Sequence, residues 1–122
     1  MLKRKKMNIQ IANKTIETDE ENFLLDPNDW DDRLIDVIAE KEGIQLTETH
    51  RGLVDYFRIF YEDHMRHPTM HELVKTLGKY HGKHYTEEKK YRDFIYELFP
   101  MGPISMLCKL AGLPKPVGEV QE

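Results

Sequence analysis

The chain has 122 residues, of which 39% are hydrophobic and 33% charged, a balance typical of one globular domain with a single core. Its formal net charge of −4 argues against a protein that coats nucleic acid, although the charge is compatible with a local basic face. The single cysteine, Cys108, excludes an intrachain disulfide and favours a reducing, cytoplasmic setting. No apolar run approaches the roughly 20 residues that span a bilayer, so no membrane partner is expected.

The N-terminal part predicts a leader and a β-hairpin. Residues 1–6 are basic, lack the apolar stretch of a signal peptide and are expected to be disordered. Over residues 7–17, Ile9 and Ile11 alternate with polar residues, and a turn is expected at 13–14. This alternation is typical of a half-buried hairpin.

Five amphipathic helices are predicted to follow the hairpin. Thr47 is a good N-cap for the second helix, and Thr69 with Glu72 forms a capping box for the third. Gly43 ends the first helix, and a polar loop is expected over residues 78–85. The predicted helices cover about 29–41, 48–65, 69–77, 87–98 and 103–111.

The C-terminal segment predicts a short helix that continues into an extended arm. Pro103 suits the first helical position, and Gly112 supplies the left-handed cap that ends the helix. Pro114 and Pro116 forbid helix and favour a polyproline-like course, and Gly118 is a swivel near the tip. Such a semi-rigid arm can reach into a cleft of a partner protein.

These C-terminal residues resemble those of a known family. The runs 96–100 and 108–116, with Gly102-Pro103 between them and Gly118 after them, resemble the C-terminus of the DsrC/TusE sulfur-relay family. That family includes the gamma-type partner of dissimilatory sulfite reductase. The segments that also look like the family upstream are 29–30, 42–47 and 68–75, so the resemblance covers most of the chain from about residue 23.

The helical pattern and the resemblance lead to the same fold class, which is α+β and mostly α. An N-terminal β-hairpin is expected to precede a five-helix orthogonal bundle whose second and third helices form a helix-turn-helix-like unit. The single domain is predicted to cover residues 7–112, and the extended C-terminal arm residues 113–122.

The tip of the arm departs from the family pattern. The sulfur carriers of the family end in Gly-Cys-Val, with the penultimate cysteine as the working thiol, whereas Gly118 is followed here by Glu119 and Val120. A carboxylate has no sulfur nucleophile and forms no persulfide. The family's second cysteine, found upstream in the two-cysteine members, is present as Cys108.

The resemblance therefore implies a protein that binds sulfur-metabolism enzymes through its arm, with a regulatory or non-transferring role because the tip cysteine is replaced. The implied partners are sulfite reductase, heterodisulfide-reductase-like proteins or TusBCD-type sulfur-relay proteins. Lys109 and Lys115 suit an anionic partner surface, although both also suit an exposed, soluble tail. The residues assigned to the binding arm are Lys109, Leu113, Pro114, Lys115, Pro116, Gly118 and Glu119.

Cys108 is the candidate persulfide or redox thiol, and an alternative function is a sulfur carrier that uses it. A cysteine reacts as the thiolate, which needs exposure and a nearby cation or helix N-terminus. Ile104, Leu107, Cys108 and Ala111 share one helical face, so the spacing predicts an inward, partly buried thiol. The alternative interpretation is that Cys108 is a core packing residue.

A second alternative function is a helix-turn-helix DNA-binding regulator. Lys75, Lys79 and Lys83 give the third helix and the following loop a modest basic edge and are the candidate DNA contacts. The histidines lack the spacing of a zinc site, because Pro68 separates His67 from His71, so no metal and no cofactor are expected.

Overall fold

The described part of the chain, residues 7–80 and 88–116 of this computed structural model, begins with an antiparallel hairpin and continues as helices. Strand β1 (Met7–Ile11) pairs with β2 (Lys14–Thr18), with Ile9 opposite Ile16. Ile9 and Ile11 are buried and Gln10 between them is exposed, so the predicted alternation is confirmed. The helices are α1 (Arg33–Glu42), α2 (Glu48–His64), α3 (Met70–Tyr80), α4 (Glu88–Leu98) and α5 (Pro103–Leu110).

The N-terminus of α2 is closed by a capping box with an unusual partner. Thr47 Oγ1 accepts a hydrogen bond from the His50 backbone N–H, and His50 Nδ1 accepts one from the Thr47 backbone N–H at 3.1 Å. The other ring nitrogen, His50 Nε2, lies 2.9 Å from the Leu98 carbonyl oxygen and donates to it. This buried imidazole therefore ties the start of α2 to the end of α4.

The start of α3 has the predicted capping box. The Thr69 backbone N–H donates to Glu72 Oε1 at 3.0 Å, and the Glu72 backbone N–H donates to Thr69 Oγ1 at 3.1 Å. Arg66 also donates to Glu72, at 2.8 Å. This hydrogen bond from Arg66 is the main reason that the pKa of Glu72 falls from 4.5 to about 2.

Two predicted helix boundaries are wrong. The first helix begins at Arg33 rather than near residue 29, because Asp26 and Pro27 start a separate 3-10 turn (Pro27–Asp29) and Trp30 after it is extended. The third helix continues through residues 78–80, where a loop was expected. Gly78 is buried, and packing of α3 on α4 extends the helix past a residue of low helix propensity.

The core is organised around α5, which packs against α1, α2 and α4. Six of its eight residues are buried, and the fully buried side chains around it include Phe57, Ile95 and Phe99. In residues 7–80 and 88–116, no helix has both the length and the apolar character needed to cross a bilayer. The buried α5 fixes the position from which the C-terminal segment leaves the body.

Candidate functional site: the root of the C-terminal arm

The only cysteine lies inside the core. Cys108 is 0% exposed, and so are Ile104, Leu107 and Ala111 on the same face of α5. The inward direction predicted from the spacing is found, and the burial is complete rather than partial. A donor molecule reaches the Cys108 sulfur only when α5 moves away from its neighbours, and a persulfide role for this thiol stays a prediction.

The chain leaves α5 through a Schellman turn. Gly112 adopts a left-handed conformation with φ +68°, as the sequence predicted. The Leu113 N–H donates to the Cys108 carbonyl at 2.9 Å, and the Gly112 N–H donates to the Lys109 carbonyl at 3.2 Å. Leu113 is only 5% exposed, so the first residue of the predicted arm segment, 113–122, is anchored in the body.

The last two carbonyl groups of this turn are bonded by side chains from distant parts of the chain. Trp30 Nε1 donates to the Leu110 carbonyl at 3.0 Å, and Arg58 Nη1 donates to the Ala111 carbonyl at 2.7 Å. Helix ends normally leave such carbonyls to solvent or to local caps. Here the carbonyls of residues 108–111 are all satisfied within the protein.

Trp30 and Arg58 also pack on each other. The Arg58 guanidinium carbon lies 3.7 Å from the centre of the Trp30 ring, in cation–π geometry. A Cβ at Gly112 would lie 2.8 Å from Trp30 Cγ and closer still to Cδ1, so only glycine fits there. Desolvation by burial lowers the pKa of Arg58, and the attraction of Glu62 and Asp55 offsets this only in part.

The first of the two candidate docking lysines is paired inside the root. Lys109 Nζ donates to Glu42 Oε1 at 2.8 Å, Asn22 Nδ2 donates to the same oxygen at 3.2 Å, and the Phe23 ring lies 5.1 Å from the ammonium. Burial alone would raise the pKa of Glu42, but the hydrogen bonds from Lys109 and Asn22 and the charge of Lys109 lower it overall.

The second docking lysine lies on the arm itself. Lys115 forms an ion pair with Glu21, and both side chains are well exposed. Pro114 is exposed and Pro116 is half-buried. Gly118 and Glu119, the remaining residues assigned to the binding arm, lie outside the described residues.

The candidate DNA contacts are not brought together by any described contact. Lys75 is exposed on α3, the side chain of Lys79 is outside the described part, and Lys83 lies in the undescribed segment after α3. DNA contact by these residues stays a prediction. Over the described ranges, no group of three or more histidine, cysteine, aspartate or glutamate side chains is placed to hold a metal ion.

Sequence reasoning missed the two residues that close the root. Trp30 falls inside the range predicted for the first helix, 29–41, whereas the helix begins only at Arg33, and Arg58 is not among the predicted site residues. One local signal existed for Arg58, because it lies between Phe57 and Ile59 in the most aromatic part of α2. No local signal pairs it with Ala111, which is 53 positions away.

Curated relatives match nearly the whole chain. The family described as "DsrC like protein" matches residues 10–120. Sulfurtransferase TusE of Pectobacterium atrosepticum is 40% identical over 109 residues, which are 89% of this chain and 96% of that protein. Sulfurtransferase TusE of Escherichia coli is 42% identical over 104 residues, which are 85% of this chain and 92% of that protein.

Solved structures have the same fold. The NMR structure of Allochromatium vinosum DsrC has a TM-score of 0.79 and 35% identity, and the match covers 95% of this chain and 100% of that one. The oxidized gamma-subunit of the dissimilatory sulfite reductase (DsrC) from Archaeoglobus fulgidus has a TM-score of 0.74 and 30% identity, covering 93% and 100%. The expected α+β, mostly helical fold is thus confirmed, and this chain belongs to the DsrC-like family of sulfur-relay proteins.

Proposed function

We propose that this protein binds sulfur-metabolism enzymes through its C-terminal arm and does not itself carry sulfur. One observation carries the proposal: the only cysteine, Cys108, is fully buried. The family resemblance implies, in addition, that Glu119 stands where the sulfur carriers have their tip cysteine. Sulfur transfer between proteins needs an exposed thiolate that a donor can reach. A relay protein without such a thiolate can still bind its partner, but it cannot carry sulfur.

The first part of the arm, residues 113–116, suits docking because its backbone has little conformational freedom to lose on binding. Pro114 and Pro116 restrict the backbone next to the anchored Leu113, which lowers the entropy cost of ordering the arm in a partner. The Archaeoglobus relative is named as a subunit of sulfite reductase, and the TusE relatives as sulfurtransferases. The proposed partners are therefore sulfite reductase, heterodisulfide-reductase-like proteins or TusBCD-type sulfur-relay proteins.

Glu119 gives the arm a negative charge where a cysteine-tipped relative places its thiolate or persulfide. The two tips then present a similar charge to the same pocket, but only the cysteine can transfer sulfur. The protein accordingly competes with cysteine-tipped relatives for their partner and lowers sulfur flux. The exposed Lys115 adds a cation that an acidic pocket rim can bind.

A competition experiment tests this function. A cysteine-tipped relative is bound to its relay partner, and increasing amounts of this protein are added. We expect displacement by the wild type and loss of displacement when residues 114–122 are removed, since Leu113 and the body remain. The Glu119→Lys variant, which reverses the charge at the tip, should compete more weakly than Glu119→Cys. Failure of the wild type to displace the relative at any concentration contradicts the proposal.

DNA binding at α3 remains a second candidate because Lys75 and His71 are both exposed one turn apart on that helix. A salt-dependent gel shift with DNA from its own operon tests it, with Lys75→Gln as the matched variant. We expect no shift at physiological salt. A shift that weakens with salt and with Lys75→Gln would favour the DNA-binding alternative.

A further inference from the structure

We propose that Arg58 is a positioning residue which, together with Trp30, sets the direction in which the arm leaves the body. The purpose of that direction rests on the proposed docking function, but the positioning itself is tested without any partner. Nothing in the family match assigns a role to either residue.

Arg58 holds one peptide plane. Its Nη1 donates to the carbonyl oxygen of Ala111 at 2.7 Å, and that oxygen belongs to the peptide that joins Ala111 to Gly112. Because a peptide unit is planar, fixing its oxygen from a second element restricts rotation of the whole unit. The φ of +68° at Gly112 is thereby held from outside the turn as well as by the turn's own hydrogen bonds.

Trp30 holds the preceding plane and bounds the path of the chain. Its indole N–H donates to the carbonyl of Leu110, which fixes the peptide between Leu110 and Ala111. The ring also lies directly against Gly112, where no Cβ fits. Two consecutive peptide units are therefore held by side chains from the segment before α1 and from α2. At Gly112 the backbone runs directly along the Trp30 ring.

The contacts of Arg58 are directed at this turn. Among the described residues, its one hydrogen bond goes to the Ala111 carbonyl, and its guanidinium stacks on Trp30. Asp55 and Glu62, on the same helix, act on it by charge without bonding to it. Moving a guanidinium out of water costs solvation free energy. The half-buried Arg58 offsets this cost with a hydrogen bond to a neutral backbone carbonyl, that of Ala111.

A fixed exit lowers the cost of docking. An arm whose first peptide units already point one way loses less freedom when a partner receives it than one that swivels at Gly112. We therefore expect Arg58→Gln to weaken binding to a relay partner several-fold. This loss of affinity depends on the proposed partner, whereas the direction of the arm is measured on the protein alone.

Residual dipolar couplings of backbone amides measure the exit direction. In the wild type, the amides of Gly112, Leu113 and Lys115 should fit the same alignment tensor as helices α1 to α5. In Arg58→Gln, the helices should still fit while Lys115 no longer does, and the order parameter of Lys115 should fall from about 0.85 to below about 0.6. A role confined to stability would leave these arm couplings unchanged in the folded protein.

Two further variants make the test specific. Arg58→Lys keeps a donor and a cation over Trp30, so it should restore the fit of Lys115 at least in part. Arg51→Gln removes an exposed arginine from the same helix and should change nothing at the arm. If Arg58→Gln does not fold, Trp30→Phe, which keeps a ring but loses the N–H, replaces it. Unchanged couplings of Lys115 in the folded variants would overturn the proposal.

Discussion

Two lysine–glutamate ion pairs lie in different regions of this protein, although their lysines, Lys109 and Lys115, are only six positions apart in the sequence. Lys109 and Glu42, at the root, have side chains that are 12% and 21% exposed, and Asn22 and Phe23 surround them. Lys115 and Glu21, on the arm, are 41% and 53% exposed. The chemistry of the pairs is the same, but screening by water makes the exposed pair worth far less.

The difference shows where the body ends. The residues that end α5 are buried up to and including Leu113. Their backbone carbonyls accept hydrogen bonds from the turn itself, from Trp30 and from Arg58. In the last described residues, 114–116, Pro114 and Lys115 are exposed, Pro116 is half-buried, and Lys115 forms a surface ion pair with Glu21. The boundary at residue 112 stays a prediction, and these contacts favour placing it one residue later.

The largest effect is expected from Gly112→Ala, which breaks the root. The methyl group would overlap the Trp30 ring, and φ +68° strains any residue with a Cβ. Left-handed strain and overpacking together should lower the free energy of unfolding by about 3 kcal/mol. Urea unfolding followed by circular dichroism measures the change.

Two other glycines separate strain from overlap. Gly43→Ala has the same left-handed strain, φ +72°, with nothing within 4 Å, and should cost about 1 kcal/mol. Gly52→Ala, inside α2 with open space around it, should stabilise the protein by about 0.5–1 kcal/mol. Equal losses for Gly43→Ala and Gly112→Ala would mean that contact with Trp30 is not what demands glycine.

An intermediate effect is expected from Glu42→Gln, which leaves Lys109 in the root without its carboxylate. Hydrogen bonds to charged groups contribute about 2 kcal/mol, so the free energy of unfolding at pH 7 should fall by about that amount. The pKa of Glu42 lies below its ordinary 4.5, so its contribution is present above pH 4.5 and is lost as the pH falls through the folded-state value. Urea unfolding at several pH values should show the wild type and variant converging in acid, and a gap that persists in acid would contradict this origin.

The smallest effect is expected from Glu21→Gln, which releases the arm's surface ion pair. Exposed pairs contribute little, so the free energy of unfolding should change by less than about 0.5 kcal/mol, and less still at high salt. The amide of Lys115 should nevertheless become more mobile in NMR relaxation. Glu20→Gln, at an exposed neighbouring position, is the matched control, and equal behaviour of the two variants would show that the pair does not hold the arm.

Local signals in the sequence were sufficient for most of the fold. The N-cap at Thr47, the capping box at Thr69 and the left-handed glycines 43 and 112 lie within one helical turn of what they control, and all of them are present. The tail's family resemblance also came from local motifs. Boundaries were predicted wrongly where tertiary packing extends a helix, as at Gly78.

The root of the arm was not predictable in the same way. Trp30 meets Leu110 across 80 positions, and Arg58 meets Ala111 across 53. Neither contact has a periodicity or a spacing that one sequence displays. The partner of Lys109 was missed for the same reason, since Glu42 becomes its neighbour only when α1 packs on α5.

The most direct test of the central claim is sulfur loading of the native protein by a small persulfide donor, followed by mass spectrometry. In loading, a protein thiolate attacks the outer sulfur of the donor persulfide, takes that sulfur and releases the donor as a thiolate. Glu119→Cys places a thiol in the arm and should gain the mass of one sulfur atom. The wild type should gain nothing until it is unfolded, because Cys108 is buried. Addition of sulfur to Cys108 in the folded wild type would contradict the account and identify the protein as a carrier.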